Sequence, residues 1–305
     1  MELSQLEVFL TVAREGRFSR AAEKLYRTQS AVSQTIRKLE VELGDPLFDR
    51  SSRVGVLTDA GRTLQEYAEK LLNLRADARE ALVELRELHK GKLSIAANEF
   101  TALYLLPVLA EFCRLHPMIK LTVQRSLGSR IPDDLLRHTV EIGVLSYDPQ
   151  EPLLRSVVVY LDELTFVVPP THPLAGEKQV SIRQLGAEVF VAHTVSSPYR
   201  EKVIETFRKH KTPLHMSVEL PTLQAIARFV AMGNGVALVP GISVENELAR
   251  GELVAIAVRE LRLHRKLRLV YRKEAGLSHA GRAFLQVAEA VAARRQGQYR
   301  FLREH

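Results

Sequence analysis

The chain has 305 residues, of which 46% are apolar, 26% charged and 6% aromatic, a balance that excludes disordered and fibrous classes and leaves room for two or three folded domains. A mean hydropathy of -0.07 and the lack of an uninterrupted apolar run near ~18 residues argue against a membrane-spanning helix. Glu2 and Glu7 do not suit the basic start of a secretory leader, and the single cysteine, Cys113, excludes an internal disulfide framework and a Cys-cluster zinc site. A reducing, cytoplasmic setting is expected.

The net charge of +7 suggests nucleic acid until the charges are located. Residues 1–90 carry 15 Lys/Arg against 15 Asp/Glu, residues 91–258 carry 16 against 17, and residues 259–305 carry 12 against 4. The surplus is C-terminal, from Arg259 to Arg303, and reads by default as a solvated surface, with subunit contacts as the alternative. More informative is residues 16–38, where Arg17, Arg20, Lys24, Arg27, Arg37 and Lys38 face Glu23 alone.

The first element is a helix with Leu3, Leu6, Phe9, Leu10 and Ala13 on one side, ended by Gly16. Ser19 is the expected cap of a second, short helix with Ala21, Ala22 and Leu25 inward. Thr28 then caps a third, on which Val32, Ile36, Leu39 and Leu43 face the core. The other face presents Gln29, Ser30, Ser33, Gln34 and Arg37, polar side chains suited to base edges and phosphates. Two short helices joined by a tight turn, with small alanines at the crossing, predict a helix-turn-helix. After Pro46, Leu47 and Phe48, residues 49–57 read as a hairpin wing with Arg50 and Arg53 at its tip, within reach of a backbone or minor groove.

This stretch resembles the winged helix-turn-helix of LysR-type transcriptional regulators. The likeness is carried by Ala21-Ala22, Gln29-Ser30, Ser33, Leu39-Glu40, Leu43-Gly44, Leu47-Phe48, Arg50, Leu57-Thr58 and Ala60-Gly61. It implies that the third helix enters the major groove of an operator duplex, with DNA-contact roles for Gln29, Ser33, Gln34 and Arg53; Thr28, Ser30, Arg37, Lys38 and Arg50 complete the candidate set. Many members carry proline where this chain has Ser30.

From Asp59 to about His89 there is no proline, and Leu64, Ala68, Leu71, Arg75, Ala78, Leu82 and Leu85 follow a 4-3 spacing, the seam of a two-helix coiled coil interrupted by Arg75. A stripe on a helix ~45 Å long has to find cover, either on its own chain or on a second helix. The resemblance favours pairing between subunits and implies a dimer of dimers.

After Gly91 strands alternate with helices. Strands are expected at 92–97, 120–125, 141–145, two runs within 157–168, 189–192, 215–219, 235–239 and 267–271, and helices at 101–115, 133–138, 199–210, 223–232 and 280–295. The expected class is α/β: a winged domain over 1–58, a linker helix over 59–90 and a two-lobed effector-binding domain over 91–305. One lobe comprises about 91–162 and 267–305, the other about 163–266. Sheets of this kind hold ligands beyond the carboxyl ends of their strands, where helix starts offer unpaired N–H groups. That rule selects Asn98, Glu99, Phe100 and Thr101, then Gly128 and Ser129, Leu145 and Ser146, and from the second lobe His193, Thr194, Ser196, Ser197, Thr222 and Pro240. Residues 91–117 and 222–240 are similar to the effector-binding part of the same regulators, whose fold resembles periplasmic solute-binding proteins; the resemblance implies that the neighbourhoods of Thr101 and Thr194 face the cleft. Glu99 in that cleft would oppose a simple dianion unless an arginine such as Arg200 balanced it. Residues 232–235 (MGNG) read as a helix stop.

No HExxH, Walker lysine, Cys–His pair or GxSxG is present, so no catalytic, metal or cofactor site is expected. The expected function is operator binding or bending tuned by a small-molecule effector, with duplex DNA, the chain itself and RNA polymerase as partners and no membrane. The alternatives are a small-molecule α/β enzyme and a ligand-independent architectural DNA binder.

Overall fold

The computed structural model describes residues 1–49, 55–86, 91–273 and 277–303, which divide into two compact units: 1–92 with 133–140, and 93–132 with 141–305.

In the first unit, α1 (Leu3–Glu15) ends on Gly16 in the left-handed conformation at φ 65°. Helix α2 (Phe18–Lys24) starts one residue before Ser19, with Arg17 as its N-cap and no side-chain cap. The start of the helix is instead anchored by packing, the Phe18 ring meeting Phe48 edge-on at 5.4 Å between centroids. Helix α3 (Gln29–Leu43) is capped as expected, the Thr28 side chain accepting from the Ala31 N–H. Val32, Ile36 and Leu39 are buried against Leu6, Phe9, Ala21 and Ala22. Leu43 is instead 40% exposed, because it is the last helical residue before Gly44 turns the chain away at φ 81°. Buried Glu40 accepts the Leu47 N–H at 2.8 Å, which fastens the end of α3 to the wing. The base of the hairpin is present as a Phe48–Leu57 antiparallel bridge; Arg50 and Arg53 lie outside the described residues.

Helix α4 (Asp59–Arg86) begins against that same core. Gly61 is required there, since a Cβ would stand 2.2 Å from the Leu47 carbonyl oxygen. Leu64, Ala68 and Leu72 pack on the winged core, and Arg75 forms an ion pair with Glu7 of α1. Leu71 (39%), Leu74 (49%), Leu82 (58%) and Tyr67 (59%) are exposed. The 4-3 repeat therefore serves two surfaces, an inner one covered by the chain's own winged fold and an outer one that is open. The Leu85 side chain and His89 lie outside the described residues.

In the second unit the strands are β1 (Gly91–Ala97), β2 (Ile119–Arg125), β3 (Ile142–Leu145), β4 (Leu154–Val168), β5 (Gln179–Val180), β6 (Val189–His193), β7 (His215–Leu220), β8 (Ala237–Pro240), β9 (Val254–Val258), β10 (His264–Arg272) and β11 (Tyr299–Arg303). The helices are α5 (Thr101–Leu115), α6 (Ile131–Leu136, largely counted with the first unit), α7 (Pro198–Lys209), α8 (Leu223–Ala231), α9 (Glu245–Ala249) and α10 (His279–Arg295). The main sheet runs β2-β1-β3-β10-β4-β9-β5, with β8 and β11 also paired to β4. It is more mixed than the strand–helix alternation suggests: β1 and β3 are parallel, but β10 is antiparallel to both β3 and β4.

The two runs expected within 157–168 are one continuous strand. Its first half, Val157, Val159 and Tyr160, packs on α5 and α10 in the first lobe, and its second half, Phe166 to Val168, in the second. Asp162, which with Glu163 separates the two apolar runs, does not break the strand: Arg265 stands opposite it in β10, so the acid is met by a countercharge. The strands β5, β9 and β11, which the sequence reading did not mark, complete the sheet, and Tyr299 of β11 packs its ring 5.0 Å from that of Tyr160. After α8, Gly233 takes φ 86°, the stop expected of that segment.

Candidate functional site

Two surfaces stand out, one on each unit. On the first, α2 and α3 are joined by a turn in which Tyr26 adopts φ 53° and the Arg27 N–H reaches back to the Ala22 carbonyl at 2.9 Å. Because the inward face of α3 is consumed by Val32, Ile36 and Leu39, the remaining face carries Gln29, Ser30, Ser33, Gln34, Arg37 and Lys38, all exposed. Thr28 is exposed as well, but its hydroxyl is committed to the cap and lies 3.0 Å from the Ser30 hydroxyl. These side chains form one continuous strip that presents amide, hydroxyl and cationic groups to solvent, with Tyr26 (97% exposed) at its leading end.

On the second unit a cavity of about 420 Å³ opens between the lobes. The first lobe contributes Asn98, Glu99 and Phe100 after β1, residues 125–129 after β2, and Ser146 and Tyr147 after β3. The second contributes His193, Ser196, Ser197, Tyr199 and Arg200 around the start of α7, and Pro240 at the end of β8. Leu164 and Arg265 belong to the two long strands that join the lobes. Ten of the fourteen residues selected from sequence thus line one cavity: Asn98, Glu99, Phe100, Gly128, Ser129, Ser146, His193, Ser196, Ser197 and Pro240.

The other four do not. Thr101 is fully buried and pairs with Asn98, its hydroxyl accepting the Asn98 N–H at 3.0 Å while the Asn98 side chain accepts the Thr101 N–H at 2.9 Å. Leu145 is buried in β3. Thr194 is exposed beyond the rim, held by its own N–H to the Leu220 carbonyl. Thr222 caps α8 by accepting from the Ala225 N–H. Thr101 and Thr222 thus spend their hydroxyls on backbone N–H groups at helix starts, groups that the strand-end rule offers to a ligand.

Polar contacts tie the lobes across the cavity. Glu99 Oε1 accepts the Leu223 N–H at 2.8 Å, so a carboxylate from one lobe occupies the N-terminus of α8 in the other. Glu99 Oε2 lies 3.5 Å from His193 Nε2, whose Nδ1 accepts the Val195 N–H. The Tyr199 hydroxyl donates to the Ser146 carbonyl at 3.1 Å. Arg200 does not balance Glu99; it donates to the His193 carbonyl at 2.8 Å and to Glu219 at 2.5 Å.

Two arginines of the C-terminal basic run are not solvated. Arg268 is 7% and Arg265 3% exposed. The Arg265 Nη1 lies 3.8 Å from Asp162 Oδ2, while Asp162 Oδ1 accepts the Ile242 N–H. Burial lowers the Arg265 pKa, with Asp162 opposing the shift, and burial raises that of Asp162, opposed chiefly by Arg265. Sequence reasoning passed over Arg265 because it sits in a run of surplus charge; its alternation in LHRKLRLV, with Leu267 and Leu269 also buried, was the signal that it points inward.

Among the described residues no group of three or more His, Cys, Asp or Glu is placed to hold a metal, and no helix is long and apolar enough to cross a membrane. A helix-turn-helix with an open polar strip, followed in the same chain by a two-lobed cleft domain, defines a ligand-responsive DNA-binding protein. Residues 3–62 match the model of the bacterial regulatory helix-turn-helix protein, lysR family, and residues 86–293 match the LysR substrate binding domain, so the chain belongs to the LysR family of transcriptional regulators and is not an enzyme. It is 30% identical over 294 residues to the RuBisCO operon transcriptional regulator of Allochromatium vinosum, covering 96% of this chain and 97% of that one. Its fold is similar to full-length CbnR complexed with the target DNA (TM-score 0.71, 20% identity, 95% and 99% of the two chains). It is also similar to the Synechocystis CcmR regulatory domain in complex with 2-PG (TM-score 0.60, 24% identity, 66% and 96%).

Proposed function

We propose that α3 reads its operator from the major groove, with Gln29, Ser33 and Gln34 on base edges and Arg37 and Lys38 on phosphates, while Arg50 and Arg53 of the wing reach the adjacent backbone. The observation that carries this reading is the division of α3, which spends its apolar residues on the core and leaves an unbroken polar strip open. Thr28 and Ser30 position the start of that helix. A binding site selected from random duplexes, followed by footprinting with Gln29→Ala and Arg37→Ala proteins, tests it: unchanged sequence preference in both variants removes α3 from the groove.

The partition into a reader over 1–58, a linker over 59–90 and a sensor over 91–305 is part of the same reading. So is a cytoplasmic protein that pairs through the exposed apolar side of α4, assembles as a dimer of dimers and acts on RNA polymerase at the promoter. The effector site is the inter-lobe cavity, with Asn98, Glu99, Phe100, Gly128, Ser129, Ser146, His193, Ser196, Ser197 and Pro240 around the ligand. The CcmR regulatory domain, a similar fold, was solved in complex with 2-PG, which supports a small molecule as the effector. A ligand acts only through different affinities for two arrangements of the protein. Here the Glu99–Leu223 and Tyr199–Ser146 hydrogen bonds are the contacts that a ligand would strengthen or displace.

A further inference from the structure

The cleft already holds a carboxylate, and it belongs to the chain. Glu99 follows β1 in the first lobe, yet both of its oxygens are turned to the second: Oε1 accepts the Leu223 N–H at 2.8 Å, and Oε2 lies 3.5 Å from His193 Nε2. Leu223 is the first residue of the nine-residue helix α8, so its N–H has no acceptor within the helix. At that end the helix dipole favours a negative charge. The Ala225 N–H is met locally by the Thr222 hydroxyl, whereas the Leu223 N–H is met by Glu99, 124 positions away in sequence. His193 Nδ1 accepts the Val195 N–H at 2.9 Å, which places the proton of the neutral ring on Nε2, the nitrogen that faces Glu99.

Both sides of this contact are held independently of it. Asn98 and Thr101 exchange hydrogen bonds of 3.0 and 2.9 Å around Glu99, and the adjoining Phe100 packs against the cores of both lobes. On the other side Arg200 donates to the His193 carbonyl at 2.8 Å. A carboxylate fixed in this way loses little freedom on meeting its partners. Glu99 and His193 are half-buried, which weakens screening of the charge. That charge is answered by the helix start and the imidazole, Arg200 being bound to Glu219.

We propose that Glu99 is a resident ligand of the second lobe: its carboxylate holds the two lobes together by itself and denies the start of α8 to free anions. An effector then acts on lobes already joined, and a molecule that displaces Glu99 parts them. The consequence for operator binding rests on reading the cleft as the effector site; the contact itself does not.

Glu99→Ala removes a methylene and its carboxylate, the heavy atoms of an acetate ion, which makes chemical rescue a direct test. Hydrogen exchange of full-length wild type, Glu99→Ala and Glu99→Gln is followed in peptides spanning residues 222–226 with sodium acetate, acetamide or sodium chloride, the two salts at equal ionic strength. Wild-type exchange is expected to be the same in all three. In Glu99→Ala it should rise about tenfold or more and return toward the wild-type rate with acetate, but not with acetamide or chloride. Glu99→Gln keeps an acceptor oxygen and loses the charge, so it should fall between the two and ignore acetate. Equal exchange in wild type and Glu99→Ala, added protection of wild type by acetate, or failure of acetate to restore the Ala variant overturns the proposal. Should the Ala variant not fold, a Gln variant as protected as wild type overturns it equally. A footprint on the duplex selected from a random pool separates the two levels. Rescue of exchange by acetate with one footprint in all proteins rejects the cleft as effector site and keeps the resident ligand. A footprint altered by Glu99→Ala, with exchange that acetate cannot restore, keeps the cleft and rejects the resident ligand.

Discussion

Gln29 and Thr101 show how the same kind of polar side chain is free in one place and committed in another. Gln29 is exposed and has no structural duty in the core, so Gln29→Ala is expected to leave the melting temperature unchanged while reducing discrimination between selected and scrambled duplexes by ~1–3 kcal/mol, measured as a ratio of affinities at fixed salt. Thr101 is buried and completes a reciprocal pair of hydrogen bonds with Asn98. Thr101→Val keeps the volume and strips the Asn98 N–H of its acceptor, at a cost of about 1–2 kcal/mol. Denaturant unfolding should register that loss. Any change in ligand affinity would come indirectly, through Asn98, which does line the cavity. A Thr101→Val protein with wild-type stability would show that the hydroxyl is not needed by the fold.

Helix α4 makes the corresponding distinction between two faces of one element. Leu64 and Ala68 are packed on the winged core, whereas Leu71 and Leu82 are open. Asp at positions 71 and 82 should therefore dissociate subunits in sedimentation without unfolding the winged unit, because each charge stays hydrated in the separated chain. Leu64→Asp should do the reverse and cost several kcal/mol of winged-unit stability, read by thermal unfolding. If both changes produced the same loss of assembly at unchanged stability, the two-sided assignment of the helix would be wrong. A second element-level test concerns the pairing of α5 and α10, where hydrogen bonds from Arg114 and Arg294 hold the Glu111 carboxyl at about 2, below its usual value of 4.5. A lowered native pKa stabilises above the unfolded value and is lost as pH falls through the native one. Glu111→Gln should accordingly flatten the part of the acid unfolding curve between pH 4.5 and 2, with little change at neutral pH, since the group is near the surface and well screened.

For the molecule as a whole, the decisive region is the pair of long strands β4 and β10 that passes through both lobes, with Asp162 and Arg265 opposite one another. Strands shared by two lobes let them move relative to each other only by bending or twisting near the crossing, and the polar links that span the cavity set which arrangement is favoured. Tyr199→Phe removes the hydrogen bond to Ser146 and keeps the ring over Arg265. It is expected to raise hydrogen exchange at the start of α7 and to alter the response of the operator footprint to ligand, while ligand-free unfolding changes by about 1 kcal/mol or less. Identical exchange in the two proteins would show that this bond does not hold the lobes.

What the sequence determined by itself was everything written in short-range pattern. The helix-turn-helix was legible because Ala21, Ala22, Val32, Ile36 and Leu39 repeat at helical spacing and Thr28 caps in place. Ten of the cleft residues were legible because strand ends in an α/β sheet face the same opening. Tertiary structure decided what depends on the identity of a distant neighbour. The seam of α4 divided because α1 covers half of it, and Asp162 stayed in a strand because Arg265, 103 positions on, faces it. Thr101, Leu145, Thr194 and Thr222 are absent from the cavity lining: Thr101 and Leu145 are buried, Thr222 caps α8, and the Thr194 N–H is tied to the Leu220 carbonyl. Arg265 lines that cavity for the converse reason: composition counts a charge, but only the packing of Phe100, Tyr199 and Asp162 around it decides that the charge is taken out of solvent.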